Sequence, residues 1–274
     1  MPPEHGAPAF GLSDAHIGAQ EPIYGQGEVF EGAELLRIRS KARAGRPTRG
    51  QRGVIREFSR GSRKRMLDLL NSVDRRGPAP LFVTLTYPGQ DWEGYAVETH
   101  RHLQNFRRWV MRLCPGCAVV WKLEPQPRGA PHYHLLVFGV SFIHYQVIAD
   151  TWWRIVGSGQ LTHLMAGTQI RPYLSWREKC GYMSKYIAKE VLSSSDCALW
   201  LSPGRFWGVW GRQRLPVVRT AYVLTRQGVV KALRVMRGLA HSVGYRMRTR
   251  ESGSLYISSG TGHRIMAFAG GLRL

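Results

Sequence analysis

Residues 118–138 read AVVWKLEPQPRGAPHYHLLVF. Two short apolar runs, Ala118–Glu124 and His132–Phe138, flank PQPRGAP, whose prolines and glycine predict a long hairpin loop. Side chains alternate on a strand, so His132 and His134 project from one face while Tyr133 turns away. Leu136 and Phe138 continue the histidine face toward a core, which puts the pair where the strand emerges from packing. With a seven-residue loop and simple antiparallel register, Glu124 falls opposite His132 on its own face. A slip of one residue would point Glu124 the other way. Two imidazoles and a carboxylate make a donor set for a divalent cation, whereas a His-x-His pair alone reads as two satisfied surface histidines.

Working outward, Leu81–Thr86 (LFVTLT) is rich in strand formers and stops at Tyr87-Pro88-Gly89. Leu103, Phe106, Val110 and Leu113 recur at helical spacing and end before Cys114-Pro115-Gly116. A second helix is expected over Gln146–Val156, closed by Gly157-Ser158-Gly159. A weak strand is expected within Leu161–Arg171, and a third helix over Ser175–Val191. The order β-α-β-β-α-β-α predicts an α+β chain, a ferredoxin-like or RRM-like antiparallel sheet with helices packed on one face.

The flanks read differently. Residues 1–36 hold six acidic residues and no Lys or Arg, and are expected to form a disordered acidic tail. From Arg37 to Arg76, fourteen basic residues accompany Ile55, Phe58, Met66, Leu69, Leu70 and Val73 at near-helical spacing. We expect a basic helical arm over 37–76, open to a break at Gly61 and suited to backbone phosphates. The ordered core is expected over 77–192, with a C-terminal extension, 193–274, packed on it and its last residues candidates for disorder. Within the extension, Arg205–Arg212 (RFWGVWGR) is an aromatic, basic patch, Leu215–Leu224 suggests a strand and Gly228–Val243 a helix.

Composition narrows the function. The chain of 274 residues carries 39 Lys and Arg against 18 Asp and Glu, a net charge of +21, which favours a polyanionic partner and above all nucleic acid. Four cysteines are too few for a disulfide scaffold and point to a reducing compartment. Neither a membrane span nor a signal peptide is predicted. No Gly-Lys pair occurs, which argues against an ATP-driven motor in this chain. Cys114 and Cys117 have the gap of a zinc knuckle or redox pair, but without a second such pair two free thiols are the simpler reading.

Gly181–Lys189 holds the second constellation, GYMSKYIAK. On a helix Tyr182, Lys185, Tyr186 and Lys189 form one stripe, and Cys180, Met183, Ile187 and Val191 form another nearly opposite. The apolar stripe is the one to bury, which leaves both tyrosines beside two ammonium groups. A phenol of pKa about 10 becomes a useful nucleophile when cations stabilise its anion. A divalent metal neutralises a phosphate oxygen and orients it for in-line attack. Together these parts describe tyrosine attack on a phosphodiester.

The strand LFVTLTYP, the stretch EPQPRGAPHYHLLVF and the helix YMSKYIAKE occur in the order seen in HUH-type rolling-circle replication initiators, the Rep nickases of plasmids and phages. The resemblance spans roughly Ser62 to Lys189, and RFWGVWGR is similar to a downstream element of those proteins. It implies that His132 and His134 bind Mg²⁺ or Mn²⁺ with Glu124 as third ligand, and that Tyr182 or Tyr186 is the nucleophile, each followed by its own lysine, Lys185 and Lys189. His163 is an alternative third ligand, as in three-histidine relaxases. The paired tyrosines resemble phage-type initiators in which two tyrosines alternate, although single-tyrosine members exist. The resemblance further implies a five-stranded antiparallel sheet, single-stranded or hairpin origin DNA as substrate, a host helicase and replication machinery as partners, and a bacterial cytoplasm. A single-strand transposase or relaxase using the same chemistry, and a non-enzymatic basic module that binds single-stranded nucleic acid, are the competing expectations.

Overall fold

The computed structural model of the chain describes residues 23–40, 58–89, 91–171, 205–247 and 252–274. Two five-stranded antiparallel sheets organise them. The first sheet holds β3 (Leu81–Thr86), β4 (Ala118–Pro125), β5 (Pro131–Phe138), β6 (Thr168–Arg171) and β7 (Trp207–Trp210), in the order β6-β3-β5-β4-β7. The strand that carries the histidines is therefore central. Its neighbours β3 and β4 are buried almost throughout, including Lys122 and Glu124 of β4.

Helices α3 (Thr99–Leu113) and α4 (Tyr145–Val156) cover the Tyr133 face of this sheet. Leu103, Phe106 and Val110 of α3 and Ile148, Trp152 and Val156 of α4 are the buried positions, spaced as one helix face. Trp152 is fully buried at the centre, edge-on to Tyr87, Phe106 and Tyr133. Proline after Cys114 ends α3, and Gly157 ends α4 in the left-handed region at φ 69°. The short α2 (Trp92–Ala96) and α5 (Leu161–Ala166) sit in the connections. The mixed α+β class and the order β-α-β-β-α-β agree with the sequence reading, while the helix expected over Ser175–Val191 lies outside the described residues.

The opposite face corrects the expectation of helices on one side only. There α1 (Arg60–Asn71) begins, with the Ser59 side chain accepting from the Ser62 amide. The Phe58 ring lies 5.6 Å from Lys122 Nζ of β4, and Trp207 Nε1 of β7 donates to Ser62 Oγ at 2.8 Å. Gly61 sits in the first turn of α1 and does not break it.

The second sheet contains β1 (Gly25–Phe30), β2 (Leu36–Ser40), β8 (Arg219–Leu224), β9 (Ser252–Leu255) and β10 (Leu272–Arg273), in the order β10-β8-β1-β2-β9. Helices α6 (Arg226–Ser242) and α7 (Ser259–Phe268) pack on it around Val29, Ile38, Leu224, Leu233, Met236 and Met266. Four expectations about the flanks are corrected. Disorder through Leu36 gives way to β1 and the start of β2, because the tail pairs along its length with β8, from Gly25 opposite Leu224 to Phe30 opposite Arg219. Among the described residues of the arm, α1 is the helix, and Arg37–Ser40 instead continue a strand whose Ile38 is buried. The C-terminal residues are not disordered: Leu272 and Arg273 pair with Val223 and Tyr222. Nor is residue 205 onward a simple extension, because it supplies β7 to one sheet and three strands to the other. No helix among the described residues is long and apolar enough to cross a membrane.

Candidate functional site

In the β4–β5 register Glu124 stands opposite His132 and Lys122 opposite His134, the register the seven-residue loop predicts. On the other side of β5, Thr86 faces His132 and Thr84 faces His134. These six side chains therefore share the polar end of one sheet face. His134, Lys122, Glu124 and Thr84 are buried, and His132 is half-buried at the rim.

Glu124 is the hub. Its Oε1 lies 2.7 Å from His134 Nε2, the diagonal neighbour, and its Oε2 accepts from Lys122 Nζ at 2.7 Å. Burial pushes the Glu124 carboxyl up, but the His134 hydrogen bond and the Lys122 charge outweigh it and hold the group below its ordinary value. The His132 ring packs edge-on against His134 with centroids 4.4 Å apart. Burial first, then its neighbour His134, depress His132 to about 3, so it is a neutral imidazole at physiological pH. His132 Nδ1 is buried with no hydrogen-bond partner.

These features bear on a metal. A neutral imidazole with an unsatisfied nitrogen beside a second imidazole and an ionised carboxylate is a donor set that a divalent cation accepts. The three residues fit such an ion in kind. Among the described residues, however, no three His, Cys, Asp or Glu side chains already converge as a cradle. The reason is local: His134 and Glu124 are turned onto each other, and the Lys122 ammonium occupies the carboxylate's other oxygen. Coordination would exchange the His134–Glu124 hydrogen bond for two metal bonds.

Three supporting groups escaped sequence reading. Arg128, in the hairpin loop, donates to the carbonyls of Tyr87, Pro88 and Gly89 at 2.9, 2.6 and 2.7 Å and so ties the loop to the end of β3. A lone arginine among prolines carries no signal for this clasp. Trp152 Nε1 donates to the Thr86 carbonyl at 2.6 Å, anchoring the strand position opposite His132. His102, buried in α3, lies 2.9 Å from the Tyr87 hydroxyl. Its helical spacing from Phe106 was the available clue.

His163, the alternative third ligand, is committed elsewhere. Its Nε2 lies 2.9 Å from the Thr86 carbonyl, which can only accept, so this nitrogen carries the proton and Nδ1 accepts from Ser158 Oγ at 2.7 Å. With both nitrogens engaged it serves to position β3. Cys114 and Cys117 are free thiols, both raised by burial, with Cys117 Sγ 3.7 Å from Met111 Sδ. Tyr182, Lys185, Tyr186 and Lys189 lie outside the described residues, as do Cys180 and Cys197.

Residues 80–191 match the model of the family described as replication-associated protein ORF2/G2P. Over that span, which is less than half of the chain, the sequence is similar to this family. The matched segment runs from the residue before β3 past β6 and takes in the tyrosine-bearing stretch, while the second sheet lies wholly outside it. No curated protein and no solved structure matches the chain.

Proposed function

We propose that this replication-associated protein is a rolling-circle initiator, an endonuclease and strand transferase that nicks and rejoins single-stranded or hairpin origin DNA through a covalent 5′-phosphotyrosine. The observation that carries the proposal is His132: a neutral, rim-placed imidazole with an orphaned nitrogen, held beside His134 and Glu124 within a replication-associated segment. Mg²⁺ or Mn²⁺ held by His132, His134 and Glu124 would supply Lewis-acid stabilisation of the scissile phosphate.

The remaining work falls to the chain's own groups. Lys122 keeps Glu124 ionised and fixed. Arg128 and Trp152 hold the end of β3 against the histidine row. The phenol oxygen of Tyr182 or Tyr186 attacks phosphorus and the bond to the 3′ oxygen breaks. The phenol gives its proton to solvent, and the departing 3′ oxygen takes one from solvent and leaves as a 3′ hydroxyl. Lys185 and Lys189, each three residues after a tyrosine, would favour the phenolate. The ester to tyrosine conserves the phosphodiester bond energy, so the reverse attack rejoins DNA without ATP. A helicase and polymerase from the host, in the bacterial cytoplasm, would complete replication.

The test is covalent capture of a single-stranded oligonucleotide in manganese, read as a protein–DNA adduct on a denaturing gel. Tyr182→Phe/Tyr186→Phe is expected to form no adduct, and His132→Ala to lose nicking by about 10²-fold or more. Nicking that survives in the double tyrosine variant overturns the mechanism.

A further inference from the structure

Away from the histidine row, a cleft of about 690 Å³ opens where α1 meets both sheets. Arg65 and Asp68 of α1 line it, with Arg37 and Arg39 of β2 and Arg219 of β8. Arg212 and Trp207, after and within β7, complete the wall from the first sheet. Much of the arginine charge is uncompensated. Glu28, buried in β1, lies 3.3 Å from Arg37 and 3.7 Å from Arg39 and also accepts from Arg219. Asp68 lies 3.8 Å from Arg37 but is shared with Lys64 at 3.1 Å. Five arginines against these two carboxylates leave three positive charges in excess. Arg65 and Arg212 are exposed and make no ion pair among the described residues.

Trp207 adds a second kind of recognition. It is half-buried, with its indole N–H pinned to Ser62 at 2.8 Å, so the ring is set in place before any ligand arrives. A positively charged groove with a fixed aromatic wall suits a sugar–phosphate backbone whose bases are unpaired and can stack. A duplex offers the same phosphates but no open base face.

We propose that this cleft binds a single-stranded DNA segment, phosphates on the arginines and a base against Trp207, apart from the segment cut beside His132. The identity of the polymer rests on the nicking function proposed above; the cleft itself does not depend on it. The cleft is built largely from the second sheet and α1, elements outside the family segment, so it would belong to this chain's own architecture.

The experiment measures the affinity of the full chain for a fluorescent single-stranded oligonucleotide by anisotropy, in chelator and across a salt series, where no nicking occurs. Each phosphate contact contributes about 0.7 to the salt slope for single strands. Arg65→Ala/Arg212→Ala is expected to flatten the slope by about 1.4, so that its affinity changes about sevenfold less than wild type's over a fourfold rise in salt. Arg65→Lys/Arg212→Lys, which keeps both charges, is expected to restore the slope. An unchanged slope in the alanine variant, a lysine variant that behaves like it, or a loss confined to duplex binding overturns the proposal. Adduct formation in manganese, measured on the same variants, reports on the nicking function separately: the alanine variant is expected to retain it on a short oligonucleotide.

Discussion

The two sheets are built from the same kind of antiparallel ladder, yet they are encoded in different ways. The first draws four of its five strands from 81–171, and its three inner strands β3, β4 and β5 are mostly apolar and almost wholly buried. The second joins β1 and β2, near the start of the chain, to β8, β9 and β10 at its end. Its first strand, GQGEVF, looks like a flexible segment because it holds two glycines and a glutamate. The glycines are there for packing. A Cβ at Gly25 would lie 2.6 Å from Val229 Cγ2 and 2.8 Å from the Arg39 carbonyl, and one at Gly27 would lie 2.3 Å from Met266 Sδ. Small residues let α6 and α7 approach the sheet closely, and Glu28 is accommodated by three arginines. Local strand propensity is thus a reliable guide where both faces are buried by neighbouring chain, and a poor one where distant segments close a sheet.

The contrast can be tested most strongly in the two cores. Trp152→Ala, in the first, is expected to cost about 3–5 kcal/mol and to depress the proposed nicking, because it also removes the donor to Thr86 opposite His132. Leu233→Ala, in the second, is expected to cost about 2–5 kcal/mol while sparing nicking of a short oligonucleotide. Denaturant melts and adduct assays on both variants would show whether damage to one sheet is felt chemically at the other. Equal loss of nicking at matched stability would erase the distinction.

A smaller effect is expected at Gly25. Gly25→Ala should destabilise by about 1–3 kcal/mol, since backbone as well as side chain stands in the way of the new methyl. On an unpaired tail the same change would be neutral, and a neutral melt would refute the close-packed strand.

The smallest effect is a dependence on pH that belongs to the first sheet. Burial lowers His102 and His163 below the ordinary histidine value, as it does His132. The unfolded chain then binds more protons than the folded one as pH falls through about 6.5, so their stability is fully present above that pH and declines below it. Each group contributes at most about 1.4 kcal/mol per pH unit. Urea melts between pH 7.5 and 5 should show the decline, and His102→Gln should reduce it. A flat profile would mean that these three rings are not buried neutral.

Much of the site was legible because it is local. Glu124, His132 and His134 lie on one hairpin, and loop length and alternation suffice to bring them to one face. What the alternation could not supply was the diagonal partner. It places Glu124 opposite His132, but the side chain reaches His134, drawn there by the Lys122 ammonium on its other oxygen. A lysine two residues before a glutamate on a buried strand reads as one more apolar-facing position until the Phe58 ring is seen over it. His163 failed as a ligand for a related reason: both of its nitrogens are satisfied by groups that come close only in the folded chain.

The amino-acid sequence by itself determined the α+β order, the hairpin register, the histidine face and the strongly basic charge, because each depends on residues close together in the chain or on composition alone. The tertiary structure decided the second sheet, the burial of Glu28, Lys122 and Glu124 and the arginine cleft. Those depend on which distant surfaces meet, and only after they meet does burial select the ion pairs and hydrogen bonds that make them stable.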